Sequence, residues 1–307
     1  MILNLSFTVV SMSSVGNFTD FIQAGDAKGL QVFMTNERSP RHSQRNNRAL
    51  FEACRDGDDE ICEVLISFGA DVNSEVNHRT PLYIACQFAY PACVDLLLAH
   101  GVNVNVGCCG FGRTPLMATA SEDNTPSGLT LDEFIENRCR CMRSLLAAGV
   151  AIDQTDNVGW NALMYATWNF RLTQILIEAG ANLDILNTDN NMSALHYACM
   201  EDDIDVTALL LEGGASIDAV DRTAQTSLHL ACLYLKPAIV DSLLRHNADI
   251  DIVNNSGRTA LQCAMSRPSS SPNRVAVLQL MATCAHTRLE ASSADWIRLA
   301  RNERLSQ

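Results

Sequence analysis

The chain has 307 residues with 35 acidic against 22 basic side chains and a net charge of −13, which excludes a nucleic-acid phosphate backbone as a natural partner and favours a neutral or basic protein surface. Hydrophobic residues make up 47% and aromatic residues only 6%, a balance that excludes disorder and points to a Leu/Ala-rich helical fold. At this length a single core nears its upper size, so two domains or a repeat array is expected.

The opening MILNLSFTVVSM lacks a basic flank, and Asn4, Ser6 and Thr8 interrupt its apolar run, so it does not read as a signal peptide. No stretch approaches the roughly 18 apolar residues of a membrane span. The twelve cysteines are scattered through apolar periodic segments, as thiols are when they serve as small core residues in a reducing compartment, cytosol or nucleus. DFIQAGDAKGLQVFM (20–34) reads as the late half of a degenerate capping unit, and the basic TNERSPRHSQRNNR (35–48) as a solvated connector in preference to a nuclear-import or anionic-partner patch.

From residue 48 the chain repeats. Leu50, Leu82, Leu116, Leu163, Leu195, Leu228 and Leu261 recur at separations of 32, 34, 47, 32, 33 and 33 residues, the signature of one supersecondary unit stacked many times. Thr80 and Thr114 stand where a hydroxyl caps a helix, with Pro81 and Pro115 in the first turn; Ala162, Ala194, Ser227 and Ala260 replace the proline in later copies. Apolar stripes such as Val64, Leu65, Ile66 and Leu209, Leu210, Leu211 mark a second helix that only a neighbouring unit can bury. Gly69, Gly101, Gly149, Gly180 and Gly214 end that helix, and Asn247 fills the slot in the sixth copy.

TPLYIAC (80–86) and TPLMATA (114–120), each followed by an apolar helix and an ending of the type GADVN (69–73), GVNVN (101–105), GVAID (149–153), GANLD (180–184), GASID (214–218) or NADID (247–251), resemble the ankyrin repeat. The resemblance covers residues 48–286 and, degenerately, 16–47. It implies an all-α solenoid of stacked helix-turn-helix repeats with β-hairpin loops. The expected division is an N-terminal segment (1–47), a domain of about seven repeats (48–286) and a C-terminal capping helix (287–307), the last read from Ser292, Ser293, Trp296, Leu299 and Ala300.

The 47-residue interval holds an insertion at about 122–138. Pro126 and Gly128 mark a loop, and Thr130 with Glu133 fits a capping box, so the following helix should begin early and run long. A smaller insertion, SRPSSSPN (266–273), reads as a turn whose Ser270 and Ser271 suit phosphorylation.

SALHYAC (193–199) and TSLHLAC (226–232) each place a His and a Cys on one helical face, as a zinc site or a thiol–imidazole dyad requires. In repeat register, however, His196 and His229 share a slot with Phe51, Tyr83, Met117, Met164 and Gln262. Cys199 and Cys232 share theirs with Cys54, Cys86, Ala120, Thr167 and Met265. Slots that vary this way are packing positions, so no metal, cofactor or catalytic residue is assigned. Cys108, Cys109, Cys139 and Cys141 lack the usual knuckle spacing and are read as buried or hairpin thiols.

The expected function is a non-enzymatic protein-interaction scaffold, monomeric by itself, in cytoplasm or nucleus. The alternative is a substrate adaptor of a ubiquitin ligase, since LMATC (280–284) is similar to the L-x-x-x-C core of a ligase-recruiting box, although Gln279 departs from it. Ankyrin proteins bind mainly through hairpin tips and the two residues after the small-residue pair of the first helix. By resemblance, these slots are Phe111, Trp160 and Met192 on the hairpin side and Phe88, Trp168, Met200, Leu233 and Tyr234 on the helix side, positions expected to carry no packing duty. Glu201, Asp202, Asp203 and Asp205 would form an acidic rim. The competing expectation is that the insertion folds over Trp160 and Trp168. Asn73, after Asp71 and Val72, is similar to ankyrin asparagines that an asparaginyl hydroxylase modifies; a purely structural Asn73 would instead satisfy backbone groups.

Overall fold

The structure, a computed structural model, describes residues 17–36, 43–122, 130–267 and 272–286. Over these the period near 33 becomes a row of helix pairs. A short pair, α1 (Phe18–Gln23) and α2 (Ala27–Asn36), precedes α3 (Ser43–Asp56) with α4 (Asp59–Ser67), α5 (Pro81–Gln87) with α6 (Pro91–Ala99), and α7 (Pro115–Ala120) with α8 (Leu131–Ala147). There follow α9 (Ala162–Ala166) with α10 (Phe170–Glu178), α11 (Ala194–Glu201) with α12 (Ile204–Glu212), α13 (Ser227–Leu233) with α14 (Pro237–Arg245), and α15 (Ala260–Met265) with α16 (272–286). First helices stack on first helices from α3 to α15, and second helices stack on second helices from α2 to α14.

The local chemistry explains each boundary. Thr80, Thr114, Thr226 and Thr259 accept the backbone N–H three residues on through Oγ1, and Asn161 does the same through Oδ1. Each satisfies a donor that the first turn leaves without an intrahelical partner. At the other end, the glycine slot and Asn247 all have positive φ, from 64° at Asn247 to 90° at Gly214, where a side chain is penalised and Asn is the tolerated exception.

The repeat-marking leucines form the spine of the core: Leu50, Leu82, Leu195 and Leu228 are wholly buried, and only Leu261, at the end of the stack, is half-buried. Neighbouring repeats are also stitched by side chains. Asn73 Oδ1 accepts from the backbone N–H of Asn103, Asn105 from Ala151, Asp153 from Asn182, Asp184 from Ser216 and Asp218 from Asp249, all at 2.7–2.9 Å. This gives the final N/D of the GADVN-type ending a physical reason. Asn73 therefore holds backbone with its carboxamide while its residue remains exposed.

Two expectations change. The first unit is a helix pair and not only the late half of a repeat: α2 packs on α4, Phe18, Leu30 and Met34 are buried, and the Arg45 guanidinium lies 3.9 Å from the Phe18 ring centroid. Likewise, the basic stretch is not all connector, because residues 43–48 form the first turns of α3 and Asn46 is buried. The hairpins pair through isolated antiparallel bridges, Val76 with Arg79, Cys108 with Arg113, Val220 with Thr226 and Val253 with Thr259. The capping box of Thr130 and Glu133 is present, with Thr130 N–H donating to Glu133 Oε2 at 2.9 Å. α8 has 17 residues against nine in α10. Ser270 and Ser271, like the tail 287–307, lie outside the described residues.

Candidate partner-binding groove

The insertion lengthens α8 by about two turns at its N-terminus, and those turns supply Phe134 and Arg138, both buried. Arg138 Nη1 donates to the carbonyls of Ala118 (3.2 Å) and Thr119 (2.6 Å), which end α7. A cation here complements the negative end of the α7 dipole. Its guanidinium lies 4.4 Å from the Phe134 ring centroid and 5.9 Å from that of Trp168. The Trp168 indole N–H donates to Ala120 O at 2.7 Å. Trp168 thus has a packing duty, contrary to the expectation of a free groove position, between Ala120 of α7 and Arg138 from the helical part of the insertion.

Beside this, the hairpin of residues 156–160 carries Trp160, and helices α9 and α11 carry Tyr165 and Tyr197. Asp156 Oδ1 accepts from the backbone N–H of Val158 and Trp160, and its Oδ2 accepts from the Tyr165 hydroxyl at 2.8 Å. Gly159 permits the turn at φ 80°, and a Cβ there would sit 2.4 Å from Thr188 N. In the next repeat Asn187 accepts from Met192 N–H and donates to the Tyr197 hydroxyl at 3.0 Å. One carboxylate and one carboxamide thereby fix a hairpin and a tyrosine together.

The Trp160 ring lies 5.0 Å from Tyr165 and 4.4 Å from Tyr197, tilted to both, within the favourable range for aromatic pairs. The Arg113 guanidinium stands 4.7 Å from the Tyr165 centroid. Burial, then the Asp156 carboxylate, holds the Tyr165 hydroxyl above its ordinary pKa, so it stays a donor. These groups, with Trp168, Glu122 and Glu201, line a cleft of about 220 Å³ spanning repeats.

The His and Cys pairs take no part in it. His196 Nδ1 accepts from Ser193 N–H and its Nε2 faces Gln225 O across the repeat boundary; His229 does the same with Thr226 and Arg258. Cys199 and Cys232 are wholly buried, and burial pushes each thiol up to about 12. Among the described residues, no three His, Cys, Asp or Glu side chains are grouped to hold a metal ion, and no helix is long and apolar enough to cross a membrane. Cys108 bonds to Thr80, Cys109 accepts from Arg79 Nε, and Cys139 and Cys141 are buried in α8.

The family model described as Ankyrin repeats (3 copies) matches residues 21–108 and 131–221, and that described as Ankyrin repeats (many copies) matches 209–264. The chain belongs to the ankyrin repeat family.

Ankyrin repeats are protein-interaction modules. Relatives include the Neurospora crassa ankyrin repeat protein nuc-2, 35% identical over 143 residues that make up 46% of this chain and 12% of the relative. Human ankyrin repeat and SOCS box protein 6 is 26% identical over 190 residues, 61% of this chain and 36% of the relative. The chain therefore spans well under half the length of either. The human ASB11 ankyrin repeat domain superposes with a TM-score of 0.59 at 26% identity, covering 76% of this chain and 96% of that one. The ankyrin repeat domain of Bcl-3 shares the fold, with a TM-score of 0.62 at 21% identity over 76% of this chain and 97% of that one.

Within this ankyrin array, Phe111 (64% exposed) and Tyr234 (44%) are open to solvent, while Phe88, Trp160, Trp168, Met192, Met200 and Leu233 are half-buried. The structure gathers Trp160 and Trp168 into one cleft and leaves Tyr234 outside its lining. Sequence reasoning missed Tyr165 and Tyr197. They occupy the slot two residues after the repeat-marking leucine, held by Glu52, Ile84, Ala118, Leu230 and Cys263 in other copies. Two tyrosines in consecutive repeats, in a slot with no other aromatic residue, were the available signal.

Proposed function

We propose that this array binds a partner protein through the concave face formed by its hairpins and first helices, centred on the Trp160, Tyr165 and Tyr197 cleft, and that it has no catalytic activity of its own. The observation that carries this reading is the half-exposed aromatic cluster bridging two repeats, with Phe111 exposed beside it; such apolar surface on an otherwise soluble scaffold marks a binding site. The net charge of −13 and the acids Glu201, Asp202, Asp203 and Asp205 favour a basic partner surface over nucleic acid. The scatter of twelve cysteines through apolar segments supports a reducing compartment, cytoplasm or nucleus.

Affinity capture from its native cells, followed by binding measurements on Phe111→Ala/Tyr234→Ala, tests this. Both side chains are exposed, so stability should change by under about 1 kcal/mol, while affinity for the captured partner falls by about 2 kcal/mol or more. Full affinity in the double variant would exclude the face.

A second reading, substrate adaptor of a ubiquitin ligase, is favoured by the SOCS box in the names of relatives. Against it, the segment 280–284 lies within α16, whose Val277 and Met281 are buried and whose Leu280 and Cys284 line a cleft with Leu244 and Arg245 of α14. It thus serves as the second helix of the final repeat. Recovery of elongin-type ligase subunits in the same capture would promote this reading.

A further inference from the structure

We propose that the cleft between the hairpin of Trp160 and helices α9 and α11 is a receptor for one arginine side chain of the partner. This rests on the groove reading and gives it a chemistry. At about 220 Å³ the cleft is smaller than a drug-sized pocket and suited to a single long side chain.

Its lining is aromatic in the middle, with the Arg113 guanidinium over Tyr165 and two acids, Glu122 and Glu201, at the margins. Trp160, Tyr165, Tyr197 and Trp168 supply ring faces and edges, and Glu122 and Glu201 are exposed carboxylates not ion-paired among the described residues. A cation held over a ring face gains from the quadrupole, and a carboxylate beside it adds a charge-assisted hydrogen bond. The same surface already accepts guanidinium groups from within: Arg113 lies over Tyr165 and Arg138 beside Trp168.

Arginine fits better than lysine for geometric reasons. Its planar group stacks on tilted rings and offers a fork of donors to two carboxylates, whereas an ammonium is a compact, strongly hydrated point charge. The net charge of −13 adds long-range attraction of the same sign.

The test uses the full chain and three small probes: N-acetyl-arginine amide, its neutral isostere N-acetyl-citrulline amide, and N-acetyl-lysine amide. The observed quantity is the indole N–H resonance of Trp160 in a ¹⁵N-labelled sample, assigned with Trp160→Phe. Arginine amide should shift it saturably with a dissociation constant on the order of millimolar, as expected for so few atoms. Citrulline amide should bind at least tenfold more weakly and lysine amide several-fold more weakly. Glu122→Gln and Glu201→Gln should each weaken arginine binding several-fold while leaving the unfolding midpoint unchanged.

Equal binding of citrulline or lysine amide, no saturable shift, or indifference to both glutamine variants would overturn the proposal. If the captured partner still loses affinity in Phe111→Ala/Tyr234→Ala while arginine amide fails, the groove stands and the arginine receptor falls. If that double variant keeps full affinity, the groove itself has failed.

Discussion

Arg138→Ala is expected to lower stability by about 3–5 kcal/mol, among the largest effects of any single substitution in the chain. The residue is wholly buried, and its guanidinium bonds the carbonyls of Ala118 and Thr119 that end α7. Truncation would leave those acceptors short of a donor inside the fold, at about 1–3 kcal/mol, and open a cavity beside Phe134 and Trp168. Arg140, two positions on along α8 and exposed, is the control; its alanine variant should stay within about 0.5 kcal/mol. Urea unfolding of both variants measures this, and an Arg138→Ala midpoint equal to that of Arg140→Ala would mean that the long α8 is not anchored through this residue.

Acid should weaken the array through two histidines. His196 and His229 are wholly buried, and their folded pKa values are lowered, first by desolvation, with the carbonyls of Gln225 and Arg258 partly opposing it. The geometry gives a reason: each Nδ1 accepts a backbone N–H, so a proton there would displace a hydrogen bond. A lowered folded pKa means that the unfolded chain takes up protons first. Stability is therefore complete above the unfolded value near 6.5 and is lost as pH falls below it toward the folded value, by up to about 1.4 kcal/mol per pH unit for each histidine. From pH 7.5 to 5.5 the pair should lower stability, by at most about 3 kcal/mol.

Gln262 occupies the same slot in the last repeat, and its Oε1 accepts from Thr259 N–H at 2.9 Å. His196→Gln/His229→Gln should consequently keep the cap and flatten the pH dependence in this window. An unchanged slope in denaturation series from pH 7.5 to 5.5 would show that other groups dominate.

Much of this architecture was legible from the sequence because the repeat makes each physical requirement appear several times. Hydroxyl caps, glycine ends and the leucine spine each recur with the period, so one ambiguous copy is corrected by its siblings, and the same register identified His196 and Cys199 as packing residues. Features present once were harder. Arg138 lies in an insertion without a sibling, and nothing in LDEFIENRCRC distinguishes a buried arginine from the exposed Arg140 beside it. Trp168 reads as a free groove residue in the sequence for the same reason, since its partner Arg138 is 30 residues away in a segment without register. Tyr165 and Tyr197 are in register, but their slot holds Glu52, Ile84, Ala118, Leu230 and Cys263 in the other copies, so no recurring requirement marks it. Their cleft depends on the relative placement of three repeats, which the sequence pattern does not encode.

Hydrogen exchange of the array, free and bound to its captured partner, locates the binding face directly. Binding should slow exchange in the hairpins at 156–160 and 187–192 and in α9, α11 and α13, leaving α10, α12 and α14 unchanged. Protection confined to the row of second helices, or to α16, would contradict the groove centred on Trp160.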